Sequence, residues 1–381
     1  MRLNELVLVV SSEYSPIPAA AASRVIPWVA ELMKLSFKTV VLSSSSVAEN
    51  EKLVEKSFFP TPSNKAALPI RLIQELLLGF DLGLRIFLKK NKIRLCIITS
   101  PPFFMASICA FFARLSGIAY IFDVRDRYPR VLADLEVLKL SSFLGRILQG
   151  VETSVYRGAK QVTTVTLGLF EEIKDEFPDV DVRLVRNGFD ENIFHKELLG
   201  KRKNTSFTVV YHGRLGRFYD HETYLKVIDL VGKLDSEIRF LMIGDLPVEI
   251  LSYHKPNLQV MPMMSLKDLS VKLASCHLGI CLLRDLPAMK SAFPAKVYDY
   301  IGAGLPQLVG PEGELSMSIS KIGAGVSIKK INPEKIARTI IDLKNNPDQL
   351  SAMRDQVILN RKNYGRRKIA QSYFQSIHKI L

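Results

Sequence analysis

The sequence predicts an α/β protein built from two doubly wound parallel-sheet domains, and three observations lead there. The chain has 381 residues, more than one ordinary core accommodates, so two domains of roughly 150–200 residues are expected. Strand-like apolar runs alternate with helix-like segments from end to end, the pattern of a parallel sheet with helices on both faces. The alternation breaks once, at RNGFDENIFHKELLGKRKN (186–204), where an Asn-Gly turn and a cluster of charges read as a linker.

Residues 5–10 read as the first strand, and a loop rich in Pro and Ala (16–22) leads to a helix over 23–35 with Ser23 as its N-cap. A β-branched run follows at 38–42, then a long, strongly apolar helical segment at 68–93. The strand at 94–99 ends in SPP and precedes an apolar helix at 103–115, and the strand at 119–124 ends in RDRYP. A helix at 143–157, a strand at 161–166 and a helix at 169–176 bring the chain to the linker. Beyond it the rhythm restarts with a strand at 208–211, a helix at 222–234, strands at 239–243 and 259–261, and a helix at 266–274. The apolar run HLGICLL (277–283) reads as a buried strand. In SAFPAKVYDYIGAGLPQLVG (291–310), Pro294 suits a first helical turn, and Gly302, Gly304 and Pro306 stop that helix before a short strand. A strand at 325–328 and helices at 333–345, 347–364 and 368–380 complete the chain.

Composition narrows the classes. At 48% hydrophobic and 24% charged residues the chain is globular rather than disordered. A net charge of +14 suggests an anionic partner: a phosphate-rich substrate, an anionic membrane or nucleic acid. Nucleic acid is not expected, because basic residues are not interleaved with aromatics as a binding platform needs. Cys96, Cys109, Cys276 and Cys281 form no CxxC pair and read as buried thiols of a reducing compartment. The N-terminus turns polar too soon for a secretory signal, and no run of ~20 apolar residues spans a bilayer. A cytoplasmic protein is expected.

The candidate site residues lie in loops at the carboxyl ends of the strands, where such sheets bind ligands. In the 291–310 stretch Lys296 and Asp299 share one helix face, and Val297 with Ile301 another. A helix N-terminus, a Lys one turn in and a carboxylate beyond it could hold a diphosphate and then a diol. The same residues would also serve as an ordinary strand-loop-helix unit with a solvated Lys–Asp pair. YHGRLGR (211–217) runs a strand into a loop where Gly213 allows close approach, Arg214 can grip a diphosphate and Arg217 is a reserve cation. IGDLP (243–247) repeats that logic with Gly244 and Asp245, where a nucleoside could lie.

In the first half, Arg125 and Asp126 of RDRYP could contact the reacting sugar or acceptor, with Ser23, Ser100 and Arg127 on the acceptor side. An ion pair that merely fixes the loop is the alternative. The basic, apolar segment 68–95 could lie in the interface of an anionic leaflet, or be a helix pair packed on the sheet with a solvated basic end. All six histidines follow the linker's start, from His195 to His378, so the first domain supplies no His base. No spacing suggests a metal site, and neither a P-loop nor a GxGxxG fingerprint occurs.

Taken together, SPPFF, FDVRDRYP, VRNGFDENIF, YHGRLG, IGDLP, FPAKVYDYIGAGLP and GAGVSI resemble, in order and spacing, the GT-B glycosyltransferases. The resemblance is to the retaining family 4, especially the subset that builds bacterial surface polysaccharides. It implies two Rossmann-like domains facing a central cleft: 1–188 for the acceptor, with a helix at 365–381 packing back on it, and 189–364 for a nucleotide-sugar donor, usually UDP-linked. The implied acceptor is a glycan or polyprenyl-linked glycan, and the enzyme needs no metal or other cofactor. Arg214 and Lys296 match the cations on the diphosphate. Asp299 matches the acid, usually Glu, that binds the ribose. The backbone of Phe293, Pro294 and Ala295 matches the segment lining the donor sugar.

Several positions depart from the family pattern. Ser291 replaces the first Glu of E-x7-E, Ala20 and Ala21 stand where Gly-Gly is usual, and Arg125 stands where many relatives carry His. Tyr219 falls near a usual Lys. The expected activity is glycosyl transfer with retention, by a protein that can sit on the inner face of the plasma membrane. A silent GT-B subunit scaffolding a membrane-associated complex, and a nucleotide-sugar epimerase, are the alternatives.

Overall fold

The computed structural model describes residues 6–14, 20–47, 53–63, 66–134, 136–201, 203–216 and 218–377. The chain divides into two compact units, Met1–Arg186 with Ala370–Leu381, and Asn187–Ile369.

Among the described residues the first unit holds seven strands: β1 (Leu6–Val10), β2 (Lys38–Ser43), β3 (Val54–Lys56), β4 (Ile93–Ser100), β5 (Ala119–Val124), β6 (Gln161–Thr164) and β7 (Val182–Leu184). They are parallel, in the order β3-β2-β1-β4-β5-β6-β7. The second unit holds β8 (Thr208–His212), β9 (Arg239–Ile243), β10 (Leu258–Met261), β11 (Leu278–Leu282), β12 (Gln307–Gly310) and β13 (Gly325–Ser327). These too are parallel, in the order β10-β9-β8-β11-β12-β13. Each sheet is doubly wound, and its strand order reverses once, between β1 and β4 and between β8 and β11. A crevice opens at such a reversal because neighbouring crossovers leave to opposite faces.

Strand alternation distributes the core. In β8, Val210 joins one apolar cluster with Cys281 and Val297, while Val209 and Tyr211 join the cluster on the opposite face with Ile280 and Leu282. Side chains of period two thus feed both faces of a sheet that helices cover on each side.

Several elements differ from the sequence expectation. The first helix is Ala20–Lys34, so Ser23 lies within its first turn rather than capping it. The alanines before Ser23 are strong helix formers and extend the helix backward. Segment 68–93 resolves into the helix Leu68–Leu88, a tight 3₁₀ turn Lys90–Lys92 and the start of β4. Pro294 is the N-cap of the helix Ala295–Gly302 rather than its first residue. Strands β3 and β7 have three residues each, too few to display a periodicity.

The last helix, Arg366–Ser376, carries the chain from the second unit into the first. There Tyr373 and Phe374 pack on Trp28, with ring centroids 5.5 and 5.6 Å away, and the Tyr373 hydroxyl donates to Gln161 Oε1 at 2.7 Å.

Candidate functional site

The second unit gathers the larger group of predicted residues, at the reversal between β8 and β11. His212 ends β8, and Gly213 turns the chain with φ +92°, a conformation costly for any residue with a Cβ. Gly244, with φ +137°, ends the neighbouring strand, and a Cβ there would stand 2.4 Å from the Gly213 carbonyl oxygen. The two glycine loops therefore interlock. Gly213 N–H donates to Ile243 at 2.8 Å, Leu215 N–H donates to Asp245 at 3.0 Å, and Arg214 Nε bridges to Asp245 Oδ2 at 3.0 Å. That pair is open to solvent, so Arg214 can be drawn to a ligand at little cost. Arg217 lies outside the described residues.

From β11 the chain reaches Phe293 and the Pro294 cap, and the whole helix from Lys296 to Gly302 is buried. The solvated Lys–Asp reading therefore fails: Lys296 is 6% and Asp299 8% exposed. Among the described residues Lys296 Nζ has no hydrogen-bond partner. It sits 3.7 Å from the centre of the Tyr211 ring and 3.9 Å from that of Tyr219. The aromatic faces offset part of the burial penalty, but they accept no N–H bond. Burial accordingly pushes the Lys296 pKa down to about 7. Tyr219, which stands near a Lys position of the family pattern, is thus half of an aromatic clamp.

Asp299 faces His212, whose Nε2 lies 3.6 Å from Asp299 Oδ2 and finds no hydrogen-bond partner among the described residues. Burial, opposed in part by Arg366, pushes the Asp299 carboxyl up to about 7. Burial and then the Lys296 charge push His212 down to about 3, so its imidazole is neutral. The His212 ring stands edge-on to Tyr300, centroids 5.2 Å apart. His212 was missed in the sequence although it sits inside YHGRLGR. Its only signal there was a polar residue ending a buried strand.

In the first unit, Arg125 Nη2 donates to the Pro101 carbonyl at 2.8 Å, tying the RDRYP loop to SPPFF, and Asp126 is exposed beside it. Phe103 and Tyr128 stack with centroids 5.4 Å apart, which fixes the two loops together. Ser100 is buried at the end of β4. Arg127 is a correction to the acceptor-side expectation. Its guanidinium is buried against Glu152 at 2.9 Å and Glu176 at 2.7 Å, and it holds the loop from below. Glu75 also went unnoticed. Buried in the helix Leu68–Leu88, it accepts the Phe104 N–H at 3.2 Å and so occupies the N-terminus of the helix Phe103–Leu115.

Asp123 was missed as well. Fully buried in β5, it takes two bonds from Arg24 at 2.7 and 2.8 Å and one from the Thr163 hydroxyl at 2.6 Å. A carboxylate inside an apolar strand was the available clue. Among the described residues no group of three or more His, Cys, Asp or Glu side chains is placed to hold a metal ion.

The sheet orders, the two glycine loops and the buried Lys–Asp helix define the architecture. The fold is GT-B. No family model and no curated protein matches the chain. Among solved structures, GT-B neighbours span it nearly end to end. HepE of Anabaena, solved in complex with UDP, is 12% identical with a TM-score of 0.67 over 98% of this chain and 100% of its own. Sucrose-phosphate synthase of Thermosynechococcus elongatus is 12% identical with a TM-score of 0.71, covering 99% of both chains. A putative UDP-N-acetylglucosamine 2-epimerase of Listeria monocytogenes is 13% identical with a TM-score of 0.61, over 98% of this chain and 96% of that one. At such identities the likeness is one of fold.

Proposed function

We propose that the protein is a glycosyltransferase that moves a sugar from a nucleotide diphosphate donor, UDP-linked, to a hydroxyl of a glycan or lipid-linked glycan. Transfer proceeds with retention at the anomeric carbon, as in family 4, and the product belongs to a surface polysaccharide. The observation that carries this reading is the buried ammonium of Lys296 beneath Gly213, without a hydrogen-bond partner among the described residues, in the first turn of a helix whose N-terminus opens at a sheet reversal. A buried cation without a partner is costly, and a diphosphate would supply the missing acceptor. The complex of the neighbour HepE with UDP supports the same class of ligand.

The residues then take separate roles. The unit Asn187–Ile369 holds the donor. Arg214, Lys296 and the helix N-terminus at Pro294 stabilise charge as the diphosphate leaves, with Gly213 and Gly244 giving its oxygens room. Asp299, beside His212, accepts hydrogen bonds from the ribose hydroxyls, Asp245 lies on the nucleoside side, and the backbone of Phe293 to Ala295 lines the sugar. The unit Met1–Arg186 holds the acceptor, with Arg125 and Asp126 at its rim and Ser100 and Ser23 behind. The departing phosphate takes the acceptor's proton. Fixed cations carry the charge, so no metal is required in this scheme.

Release of UDP from UDP-sugars in the presence of membrane extract tests the proposal. Lys296→Ala and Arg214→Ala should each lower turnover by about 10²–10³-fold. Unchanged turnover in both removes the role assignment. A silent scaffold, kept in view by Ser291 and by Ala20–Ala21, would bind UDP and release none. An epimerase, the activity named for the Listeria neighbour, would change the sugar while leaving the nucleotide attached.

A further inference from the structure

The helix Leu68–Leu88 is apolar on the wrong side for a soluble domain. Every one of its exposed residues is apolar. Ile70, Ile73, Leu77, Phe80, Leu84 and Leu88 recur at three- and four-residue steps and form one outward stripe along the helix. The stripe is not left over from packing. The opposite face already seats the helix on its neighbour Phe103–Leu115 through Gly79 and Gly83. A Cβ on Gly79 would stand 2.9 Å from Met105 Cα, and one on Gly83 would stand 2.3 Å from the Phe112 ring. Single exposed apolar residues are ordinary on a protein surface, whereas a contiguous run of them marks an interaction face.

The patch continues past the helix. Phe80 and Phe111 share the wall of an apolar groove of about 370 Å³ with Val151 and Val155 of the helix Phe143–Gly158, and Phe111 is itself 60% exposed.

Charge selects the occupant. The two carboxylates of the helix, Glu75 and Asp81, are each tied to an arginine one turn away, Arg71 and Arg85. No carboxylate therefore stands on the outward face. At the helix end the chain exposes Lys90, Lys92 and Arg94, and Arg114 lines the groove. An apolar stripe with cations at its end and no acid on its outward face complements an anionic bilayer, with the apolar side chains among the acyl chains and the cations at headgroup level. The helix does not cross the bilayer: among the described residues no helix is long and apolar enough to do so.

We propose that this face of the first unit, from Ile70 to Arg94 with Phe111 alongside, docks the protein on the interface of an anionic membrane. The docking is independent of the donor reaction and stands or falls separately from it.

Co-sedimentation of the full chain with vesicles tests it, using phosphatidylcholine alone and phosphatidylcholine mixed with phosphatidylglycerol. The expected result is binding to the mixed vesicles, weaker binding to phosphatidylcholine and release as salt rises. The triple variant Ile73→Ser, Leu77→Ser, Leu88→Ser should bind mixed vesicles at least tenfold less. Its thermal midpoint should fall by only a few degrees, since the replaced side chains are 45–73% exposed. Lys90→Glu with Lys92→Glu should remove the preference for anionic vesicles. No binding to mixed vesicles overturns the proposal, as does a triple variant that binds like wild type. A wild-type dimer in sedimentation velocity that the triple variant converts to monomer, without vesicle binding, would overturn it by giving the stripe to a second copy.

Discussion

Lys296 and Asp299 show how burial turns two ordinary side chains into a device responsive to pH. In the free protein Lys296 titrates near 7, far below its ordinary 10.5, and a bound diphosphate would hold its proton in place. Binding through Lys296 should therefore take up a proton above neutral pH, where Asp299 is already ionised, and UDP affinity should fall as pH rises above 7. Calorimetric titration of UDP in two buffers of different ionisation enthalpy, slightly above neutrality, reads that uptake. Lys296→Met should abolish it, and equal uptake in both proteins would refute the assignment. The stability signs differ between the groups. Between about 7 and 10.5 the unfolded chain holds the Lys296 proton that the folded one has lost, so this residue's contribution to stability rises with pH. Asp299, raised from 3.8 to about 7, works the other way, and its contribution falls as pH rises from 3.8 to about 7.

The helix Leu68–Leu88 depends on two missing side chains, those of Gly79 and Gly83. Gly83 is the notch into which the Phe112 ring fits, and that ring meets Phe80 at 5.6 Å and Phe87 at 6.5 Å. Gly83→Val forces the helices apart and should cost about 1–3 kcal/mol in chemical denaturation. Gly150 is the contrast. It lies in the helix Phe143–Gly158 with nothing within 4 Å of the position of a Cβ, so Gly150→Ala should gain about 0.5–1 kcal/mol. A loss at Gly150 or no loss at Gly83 would contradict this account of the packing.

For the whole molecule, two units with their own cores predict two unfolding transitions in calorimetry rather than one. UDP should raise the transition of Asn187–Ile369, by about 2.7 kcal/mol at a hundredfold excess over Kd. Gly83→Val should lower the other transition and so identify it. A UDP shift confined to the transition that Gly83→Val lowers would move the donor site to the first unit.

The alternation of apolar runs and the glycines and prolines punctuating them were enough to reach a doubly wound α/β fold in two halves. Lys296, Asp299, Gly213 and Gly244 could be picked out because each follows a strand, and in parallel sheets the strand ends point to ligands. Whether Lys296 and Asp299 faced solvent or core was not legible. That depended on Tyr211 and Tyr219 closing over the ammonium and on His212 meeting the carboxylate, contacts between segments far apart in the chain. The same limit hid the Arg24–Asp123 pair and the loop-fixing role of Arg127. For the apolar segment beginning at Leu68, periodicity announced a helix but not which side would face outward. Periodicity is a local property of the chain, whereas burial is set by what the rest of the fold brings alongside, and only the packing of Gly79 and Gly83 against Phe103–Leu115 turned the leucine stripe toward the surroundings.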